Sequence, residues 1–505
     1  MKWFLDISLA TSLAMIFASA DAQIGEKKLT PAEKWVVAQA AAGEIADLSK
    51  QFPEEKDRKL SAHFLEDLLM GALPGVKPHR NGVRIMGAII DEPIDLTDAQ
   101  IPYRVWLDNC QFMSSATFLR TSFSGTILFD ESTFKAEASF NSMKVGHDAF
   151  FRKAVFEGSA DFVGVGITSD FVADDAQFKN KEQGADFNSM KVRETASFKK
   201  AVFEGPVGFG SADIVSNFEA QNAQFKNKEQ GASFSSMKVG HTAFFTKAVF
   251  EGPVDFITAD FASNFEANEA QFKNKDQTAY FDSMKVGGGA FFRKAVFEGP
   301  VELSFSDFAA LDLSYTVYHG ALYLQAMNYK QIIAAPKEPE SHEALLKLAG
   351  QSAYRADVYG NLEAFFLRQG YRDDADRAFI AGKRREREQL PYGLNWFGSW
   401  LLDWLVGYGR HPAHAGYFCA FFVALGCFLF SPKRMEPQKP DDAPRVYNRF
   451  WYSLSLFVPL VDLQAHTVWK PKTEETFLRN YLRVQILLGW ILIPILLAAV
   501  TGLIK

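Results

Sequence analysis

The sequence predicts a four-sided β-solenoid followed by helices and two membrane spans, and three observations lead to that prediction. Phe accounts for 48 of the 505 residues, well above ordinary usage. From Ile85 to Ile167, large apolar residues recur at alternating steps of five and six, a spacing that fits neither a helix nor a strand period. The segment QFKNKEQGADFNSMKV, which begins at residue 177, returns in similar form at 224 and 271, at intervals of 47 residues.

The steps of five and six explain the 47-residue interval. A chain that turns after each short side brings one large residue back to a central axis, so four sides make a coil of 22 residues and two coils make 44. The three remaining residues lie in the repeated segment, where the step from Phe178 to Phe187 is nine instead of six. We therefore expect a three-residue insertion in every second coil. One step of each unit is left open, because either Phe218 or Ala220 could fill the inward position.

Short segments with a small residue two positions before Phe carry a family resemblance. Ala116-Thr117-Phe118, Ala138-Ser139-Phe140 and Ala154-Val155-Phe156 follow this plan, and the chain resembles Phe-rich pentapeptide-repeat proteins from residue 83 to about 313. The resemblance implies a right-handed quadrilateral β-helix, to which we assign residues 83–325. About ten coils at about 4.8 Å each predict a rod about 50 Å long. The expected interior ladder includes Phe118, Phe123, Phe129, Phe156, Phe203, Phe250 and Phe297.

The residues before the solenoid are expected to form a signal peptide and a helical cap. Residues 1–22 combine a basic start, a short apolar stretch and small residues, as in a cleaved secretory signal; a retained anchor is the alternative. Residues 23–82 are assigned to a cap over the open end of the solenoid. Within it, Thr30-Pro31-Ala32-Glu33 predicts a capping box that opens a helix from residue 31 to about 50. A second helix is expected from Ser61 to Leu73.

The three insertions supply the candidate binding face. Insertions in a solenoid fall on one face, often the binding face, and these would lie about 10 Å apart if each coil rises about 4.8 Å. Each presents two lysines beside an acidic residue. The pattern fits a surface that grips an anionic polymer or a partner protein; solvated bulges copied by duplication are the alternative. The six lysines are Lys179, Lys181, Lys226, Lys228, Lys273 and Lys275.

Composition and motifs argue against several function classes. The net charge is −6 with acids and bases well mixed, so we expect neither a nucleic-acid partner nor an acidic mimic of DNA. The three cysteines allow no zinc spacing and no disulfide framework, and no cofactor is expected. No carboxylate pair lies on a recognisable motif, so we expect no enzyme. An enzyme acting on envelope polysaccharide is the weakest alternative.

The C-terminal third is predicted to be helical up to the membrane. Residues 341–390 are interpreted as a helical hairpin that links the rod to the membrane and resembles a single tetratricopeptide-type unit. Residues 394–409 are too short to span and place Trp396, Trp400 and Trp404 on one face. Indole rings prefer the headgroup region of a bilayer, so this helix is expected to lie in the interface.

Two apolar segments are predicted to cross a bilayer: residues 415–430, which are somewhat short for a span, and residues 484–504. The loop between them, residues 431–483, contains most of the nearby Lys and Arg residues. The positive-inside rule therefore places this loop in the cytoplasm and the rod in the periplasm of a bacterial inner membrane.

The loop contains a short apolar segment, residues 450–461, followed by Asp462. Span, half-helix and span resemble the pore module of two-span cation channels, and in an oligomer Asp462 would form the charged constriction. No Thr-Val-Gly-Tyr-Gly filter follows, and the segment would enter from the cytoplasmic side, so both features argue against a pore. An amphipathic helix on the membrane surface is the alternative.

The combined expectation is a non-enzymatic pentapeptide-repeat protein anchored in a lipid membrane, with the rod as a scaffold or binding surface. The tail as a whole resembles the membrane tail of bacterial pentapeptide-repeat proteins. The alternative is a homo-oligomeric, ion-channel-like pore in which the rod acts as sensor or gate.

Overall fold

The computed structural model describes residues 29–333, 341–438, 446–458 and 468–501. The chain divides into two compact units, residues 1–353 and 354–505. The expected signal peptide and Asp462 lie outside the described residues.

The first unit is built on a β-solenoid of about eleven parallel, stacked turns, which confirms the predicted fold class and adds one turn to the predicted number. Each turn places one short strand on each of four faces, which we call A to D in chain order. The last three described turns run continuously from face D to face A, as Lys285–Phe291, Asp307–Asp312 and Asn328–Ile333.

The other strands keep a strict parallel register from turn to turn. Face A holds Val83–Met86, Val105–Asp108, Ile127–Leu128, Ala149–Phe150, Phe171–Val172, Ala196–Ser197, Phe218–Glu219, Ala243–Phe244 and Phe265–Glu266. Face B holds Ile89–Ile90, Gln111–Phe112, Thr133–Phe134, Val155–Phe156, Gln177–Phe178, Val202–Phe203, Gln224–Phe225, Val249–Phe250, Gln271–Phe272, Val296–Phe297 and Val317–Tyr318. Face C holds Ile94–Asp95, Ala116–Thr117, Ala138–Ser139, Ala160–Asp161, Ala185–Asp186, Val207–Gly208, Ala232–Ser233, Val254–Asp255, Ala279–Tyr280, Val301–Glu302 and Leu322–Tyr323. Face D holds Gln100–Ile101, Ser122–Phe123, Lys144–Val145, Gly166–Ile167, Lys191–Val192, Asp213–Ile214, Lys238–Val239 and Asp260–Phe261.

Aromatic columns fill the interior behind faces B and C. On face B, parallel rings stack from Phe112 to Tyr318, with centroids between 4.4 Å and 5.4 Å apart. A second column, behind face C, runs from Phe118 to Phe281. Rings of the two columns meet edge to face, as Phe178 and Phe187 do at 5.6 Å, so stacked and T-shaped contacts together hold the core. The seven Phe residues expected in the ladder are all buried.

Face A explains why the repeat spans two coils. Its paired inward positions alternate between Ala-x-Phe and Phe-x-Ala, so Ala196 is in register with Phe218, and Phe218 with Ala243. Both Phe218 and Ala220 are fully buried, which means that the two candidates for the inward position both face inward. Phe rings of successive turns meet diagonally, as Phe198 and Phe218 do at 5.7 Å. A pattern of large and small residues that alternates from turn to turn therefore requires a two-coil period.

The N-terminal residues cover the open end of the solenoid. Helix α1, Pro31–Ala42, begins with the predicted capping box and ends at Gly43, whose φ is 72°. The predicted end near residue 50 was wrong, because the left-handed Gly43 stops the helix and Ala46–Asp47 then forms a strand that pairs with face A. The short helices α2, Leu48–Gln51, and α3, Ala62–Met70, follow.

Side chains complete this cap. Glu33 is buried and accepts hydrogen bonds from both the backbone and the hydroxyl of Ser61, at 3.1 Å and 2.9 Å. The Glu66 side chain accepts a hydrogen bond from the backbone N–H of Asp95 at 2.8 Å. Asp95 lies in the first strand of face C, whose outer edge would otherwise lack a partner.

A helix and a short edge bridge follow the last described turn of the solenoid. Helix α4, Ser341–Gln351, is followed by a bridge between Ser352 and Leu322 of face C, with Ala353 N–H donating to Leu322 O at 3.1 Å. The region predicted as a hairpin, residues 341–390, therefore contains this additional helix, because residues 352–353 serve as an edge partner for the last turn.

In the described residues, the second unit has six helices. The helical hairpin consists of α5, Ala356–Gln369, and α6, Arg372–Glu388; α7, Leu394–Val406, is the predicted interfacial helix. Helices α8, Pro412–Leu429, and α10, Thr476–Val500, correspond to the two predicted spans, although both begin earlier than predicted. Between them lie α9, Arg449–Phe457, and a two-stranded ribbon of Met435–Pro437 and Trp469–Pro471. By length and composition, Pro412–Leu429 and Thr476–Ala498 could each cross a membrane.

Candidate functional site

The three insertions all lie at the corner between faces B and C. We call residues 179–184, 226–231 and 273–278 inserts 1, 2 and 3. In each, an Asn side chain caps its own loop: Asn227 Oδ1 accepts from the backbone N–H groups of Glu229, Gln230 and Gly231 at 2.7–3.1 Å. Asn180 and Asn274 make the equivalent bonds. The inserts are therefore loops with a defined, hydrogen-bonded conformation. This role of the Asn residues was not predicted, although the same asparagine in all three copies was a signal for it.

Each insert packs against a Glu-Gly-Pro corner in the next turn. A Cβ on Gly205 would lie 2.0 Å from the carbonyl oxygen of Asn180, and one on Gly252 would lie equally close to Asn227 O. Insert 2 also reaches insert 1, since Asn227 Nδ2 donates to Lys181 O at 3.4 Å. The three inserts are thus part of one continuous edge in which loops alternate with Glu-Gly-Pro corners.

All six predicted lysines are exposed on this edge, which we call the lysine row. The second lysine of each insert lies near a glutamate of the following corner, at 3.8 Å for Lys181–Glu204 and Lys228–Glu251 and at 3.9 Å for Lys275–Glu298. Within the described residues, the first lysines, Lys179, Lys226 and Lys273, have no carboxylate partner within ion-pair distance.

The lysine row has no excess charge. Its six lysines are matched by six carboxylates: Glu182, Glu229 and Asp276 in the inserts, and Glu204, Glu251 and Glu298 in the corners. An edge of alternating signs offers paired polar contacts but little net field to attract a polyanion. Between inserts 1 and 2 it holds an open pocket of about 530 Å³, lined by Lys181, Glu204, Lys226, Asn227, Lys228 and Glu229.

In the second unit, α9 packs between α8 and α10 instead of lying apart from them. Ser453 Oγ donates to the carbonyl oxygen of Val423 on α8 at 2.8 Å. Gln485 of α10 donates to Ser453 O at 3.0 Å and to Ser453 Oγ at 2.7 Å. Both Ser453 and Gln485 are fully buried, so this three-helix contact is a polar lock inside an apolar bundle. The sequence carries no signal for this lock, because Ser and Gln gain the role only when three helices meet.

Two glycines let the helices approach α9. A Cβ on Gly426 of α8 would lie 2.1 Å from Ser453 Oγ, and a Cβ on Gly489 of α10 would lie 2.0 Å from Phe457 O. Small residues at such contacts allow close helix packing in a bilayer.

The direction of α9 follows from its contacts at both ends. At its start, Tyr447 Oη donates to Phe430 O at the end of α8, at 2.7 Å. At its other end, Phe457 contacts Phe422 with ring centroids 6.4 Å apart, eight residues back along α8, or about 12 Å at 1.5 Å per residue. By Trp469 the chain is again beside Pro437, just past the end of α8. The loop between α8 and α10 therefore starts and finishes at the same end of α8.

A network of ion pairs fixes the helices before α8. Arg384 and Arg387 of α6 both bond Asp403 of α7, at 2.9 Å and 3.0 Å. Burial alone would raise the pKa of Asp403, but the two guanidinium groups lower it, so the carboxylate stays charged. Arg410, just before α8, pairs with Glu363 and with Asp376.

The predicted tryptophans of α7 differ in their surroundings. Trp400 and Trp404 are exposed and stack with centroids 6.1 Å apart, whereas Trp396 lies under Arg387, at 5.9 Å from ring to guanidinium. Asp462, the predicted constriction residue, lies outside the described residues. In the part of the chain that the structure describes, no three His, Cys, Asp or Glu side chains are grouped as metal ligands.

Comparison with protein-family models, with curated proteins and with solved structures finds no match for this chain.

Proposed function

We propose that the protein is a membrane-anchored, non-enzymatic scaffold whose β-solenoid binds a protein partner through the lysine row. The observation that carries this proposal is the row itself: three loops, each capped by an asparagine, along one edge, with an open pocket between the first two. The interior is filled by stacked rings, so binding has to use the outside of the solenoid.

Charge balance favours a protein partner over an anionic polymer. Six lysines face six carboxylates along the edge, so electrostatic attraction for a polyanion is small, whereas a protein surface can match both signs. Among the residues that the structure describes, Lys179, Lys226 and Lys273 have no ion-pair partner, so they are the available donors.

Anchoring is supported by the two apolar helices, and the location by the basic loop and signal-like start of the sequence. Together they favour a bacterial inner membrane with the solenoid in the periplasm.

A photo-crosslinking experiment tests the scaffold proposal. A crosslinking amino acid at position 226 should give one discrete adduct in cells, and the variant with Lys179, Lys226 and Lys273 all changed to Ala should lose binding to that partner once it is purified. The matched control changes Lys191, Lys238 and Lys285 to Ala. These lysines are exposed on face D and follow the three inserts in turn. Equal loss in both triple variants, or retention of full-length protein on a polyanion resin at physiological salt, would contradict a protein-binding row.

A second candidate function, an oligomeric pore, is favoured by one observation: α9 lies between α8 and α10, and the loop that contains it starts and finishes at one end of α8. In a bilayer this would be a re-entrant half-helix, and backbone at such a depth must be buried in protein or line an aqueous cavity. The surface-helix alternative does not account for the polar lock of Ser453 and Gln485.

Oligomeric state decides between the two candidates. Two spans cannot enclose an aqueous path alone, so light scattering or native mass spectrometry of the detergent-extracted protein should give a closed ring of four or more chains if it is a pore. A monomer would exclude the pore. If a ring is found, Asp462→Asn should change ion flux in liposomes.

A further inference from the structure

We propose that a basic rim at the ends of α8 and α10 binds the headgroups of anionic phospholipids. The rim consists of the Lys and Arg residues of the ribbon and of the adjoining ends of α8, α9 and α10: Lys433, Arg434, Arg449, Lys470, Lys472, Arg479 and Arg483. The proposal rests on the proposed membrane anchoring and adds a lipid class and a site.

The fold brings these residues together from distant parts of the chain. Met435 pairs with Pro471, and Lys472 N–H donates to Arg434 O at 3.0 Å. An apolar cluster beneath the ribbon, of Phe430, Met435, Tyr452, Leu456 and Leu478, holds the end of α8 and the starts of α9 and α10 in place. The basic side chains are therefore mounted on a packed base.

The rim has an excess of positive charge. Its seven Lys and Arg residues face only three carboxylates in the described parts of residues 431–483. Two of the three are already used, since Arg434 pairs with Glu475 at 3.4 Å and Lys470 with Glu436 at 3.6 Å. Within the described residues, Lys433, Arg449, Lys472, Arg479 and Arg483 have no carboxylate within ion-pair distance, and all are exposed.

The position of the rim selects a lipid rather than another anion. The basic residues begin where the apolar stretches of α8 and α10 end, which is the depth of the headgroup phosphates if these helices span. Trp469 and Tyr447 are only partly buried beside them, with ring centroids 5.1 Å apart, and such rings prefer the interface. Clustered Lys and Arg next to a span attract anionic lipids by about 1 kcal/mol each.

The test compares lipid selectivity of the full-length protein in nanodiscs of phosphatidylcholine with and without phosphatidylglycerol. Native mass spectrometry of retained lipids should show a preference for phosphatidylglycerol. The variant Lys472→Gln with Arg479→Gln should lower this preference about 25-fold, or about fivefold for each basic residue. The control, Lys226→Gln with Lys228→Gln, makes the same change in net charge within the lysine row and should leave the preference unchanged.

Three outcomes separate the possibilities. Equal preference in the variant and the wild type would overturn the lipid site. Displacement of phosphatidylglycerol by millimolar inorganic phosphate or glycerol phosphate would identify a site for free phosphate instead, and would also overturn it. Release of the protein from vesicles by alkaline carbonate would contradict membrane anchoring, which is a failure of the proposed function and not of the headgroup selectivity.

Discussion

Individual rings determine the stability of the solenoid. Phe203 lies between Phe178 at 4.8 Å and Phe225 at 5.2 Å, with ring planes within 5° of parallel, and it is almost completely buried. Removing such a ring leaves a cavity bounded by three turns, and the surrounding strands cannot collapse into it without breaking register.

We expect Phe203→Ala to destabilise the solenoid by about 3–5 kcal/mol. The measurement is urea unfolding of the full-length protein followed by circular dichroism of the β signal. Phe244→Ala is the control, because Phe244 lies on the outside of face A and is only partly buried. Similar losses in the two variants would mean that the stacked interior is not what stabilises the coil.

A glycine in a corner of the solenoid can tolerate substitution as poorly as a buried ring does. Gly205→Ala places a Cβ 2.0 Å from Asn180 O, whereas a Cβ on Gly166 would have Lys144 Cγ at 4.0 Å as its nearest neighbour. We expect Gly205→Ala to lower the thermal midpoint by several degrees and Gly166→Ala to leave it nearly unchanged. Equal midpoints in the two variants would contradict a tight contact between this corner and insert 1.

One carboxylate on face A should make stability depend on pH. Burial and the nearby Asp130 carboxylate raise the pKa of Asp108 to about 6, above its unfolded value of about 3.9. A raised pKa in the folded state means that the stabilising contribution is complete below about pH 4 and is lost as the pH rises through about 6. Asp108→Asn should therefore flatten this part of the profile of thermal midpoint against pH. An unchanged slope between about pH 4 and about pH 7 would contradict the assignment.

At the scale of elements, α9 illustrates how a short helix is held in an apolar bundle. Its residues contribute one hydroxyl to a lock with Val423 and Gln485, and glycines on α8 and α10 make room for its backbone. In membrane proteins such polar contacts contribute about 0.6 kcal/mol on average, so the close packing matters at least as much as the hydrogen bonds.

We expect Gly489→Ala to displace α9, because its Cβ would lie 2.0 Å from Phe457 O. The result should be a lower melting temperature of the detergent-solubilised protein and faster maleimide labelling of Cys427, whose thiol lies 3.6 Å from Arg449 O. Gly416→Ala on α8 is the control, since a Cβ there has no neighbour within 4 Å. If both variants label at the wild-type rate, α9 is not held by this contact.

At the scale of the whole molecule, the two units differ in the surfaces that they present. The solenoid offers an edge of capped loops, and the helical unit offers two apolar helices with a basic rim at one end. If both apolar helices span, the rim and the start of α8 lie on opposite sides of the bilayer, because one crossing separates them.

Orientation can be measured with single cysteines. In cells that express a variant with Cys110, Cys419 and Cys427 removed, a membrane-impermeant maleimide should label Lys226→Cys in the solenoid and spare Lys433→Cys in the rim. The charge distribution is the reason, since basic loops stay in the cytoplasm. Labelling of Lys433→Cys in intact cells, but not of Lys226→Cys, would reverse the proposed topology.

The sequence by itself determined the solenoid. The steps of five and six and the nine-residue step that includes Phe178 predicted four faces, an inward ladder and three inserts. This was possible because every turn repeats the same spacing of inward residues, and each contact between turns joins residues a fixed distance apart in the chain. The starts of α1 and α3 could likewise be predicted, since Thr30 and Ser61 act on neighbouring residues.

The tertiary structure decided what depends on distant partners. Glu204 pairs with Lys181 only because the next turn brings them within 3.8 Å, and this contact joins the inserts and the Glu-Gly-Pro corners into one charge-balanced edge. The break after α4 exists because Leu322 needs an edge partner, and α9 enters the bundle because Gly426 and Gly489 leave space for it. Local periodicity in the sequence determines a repeated fold. The charge balance of a surface and the position of a helix in a bundle depend on residues far apart in the chain, and only folding brings those residues together.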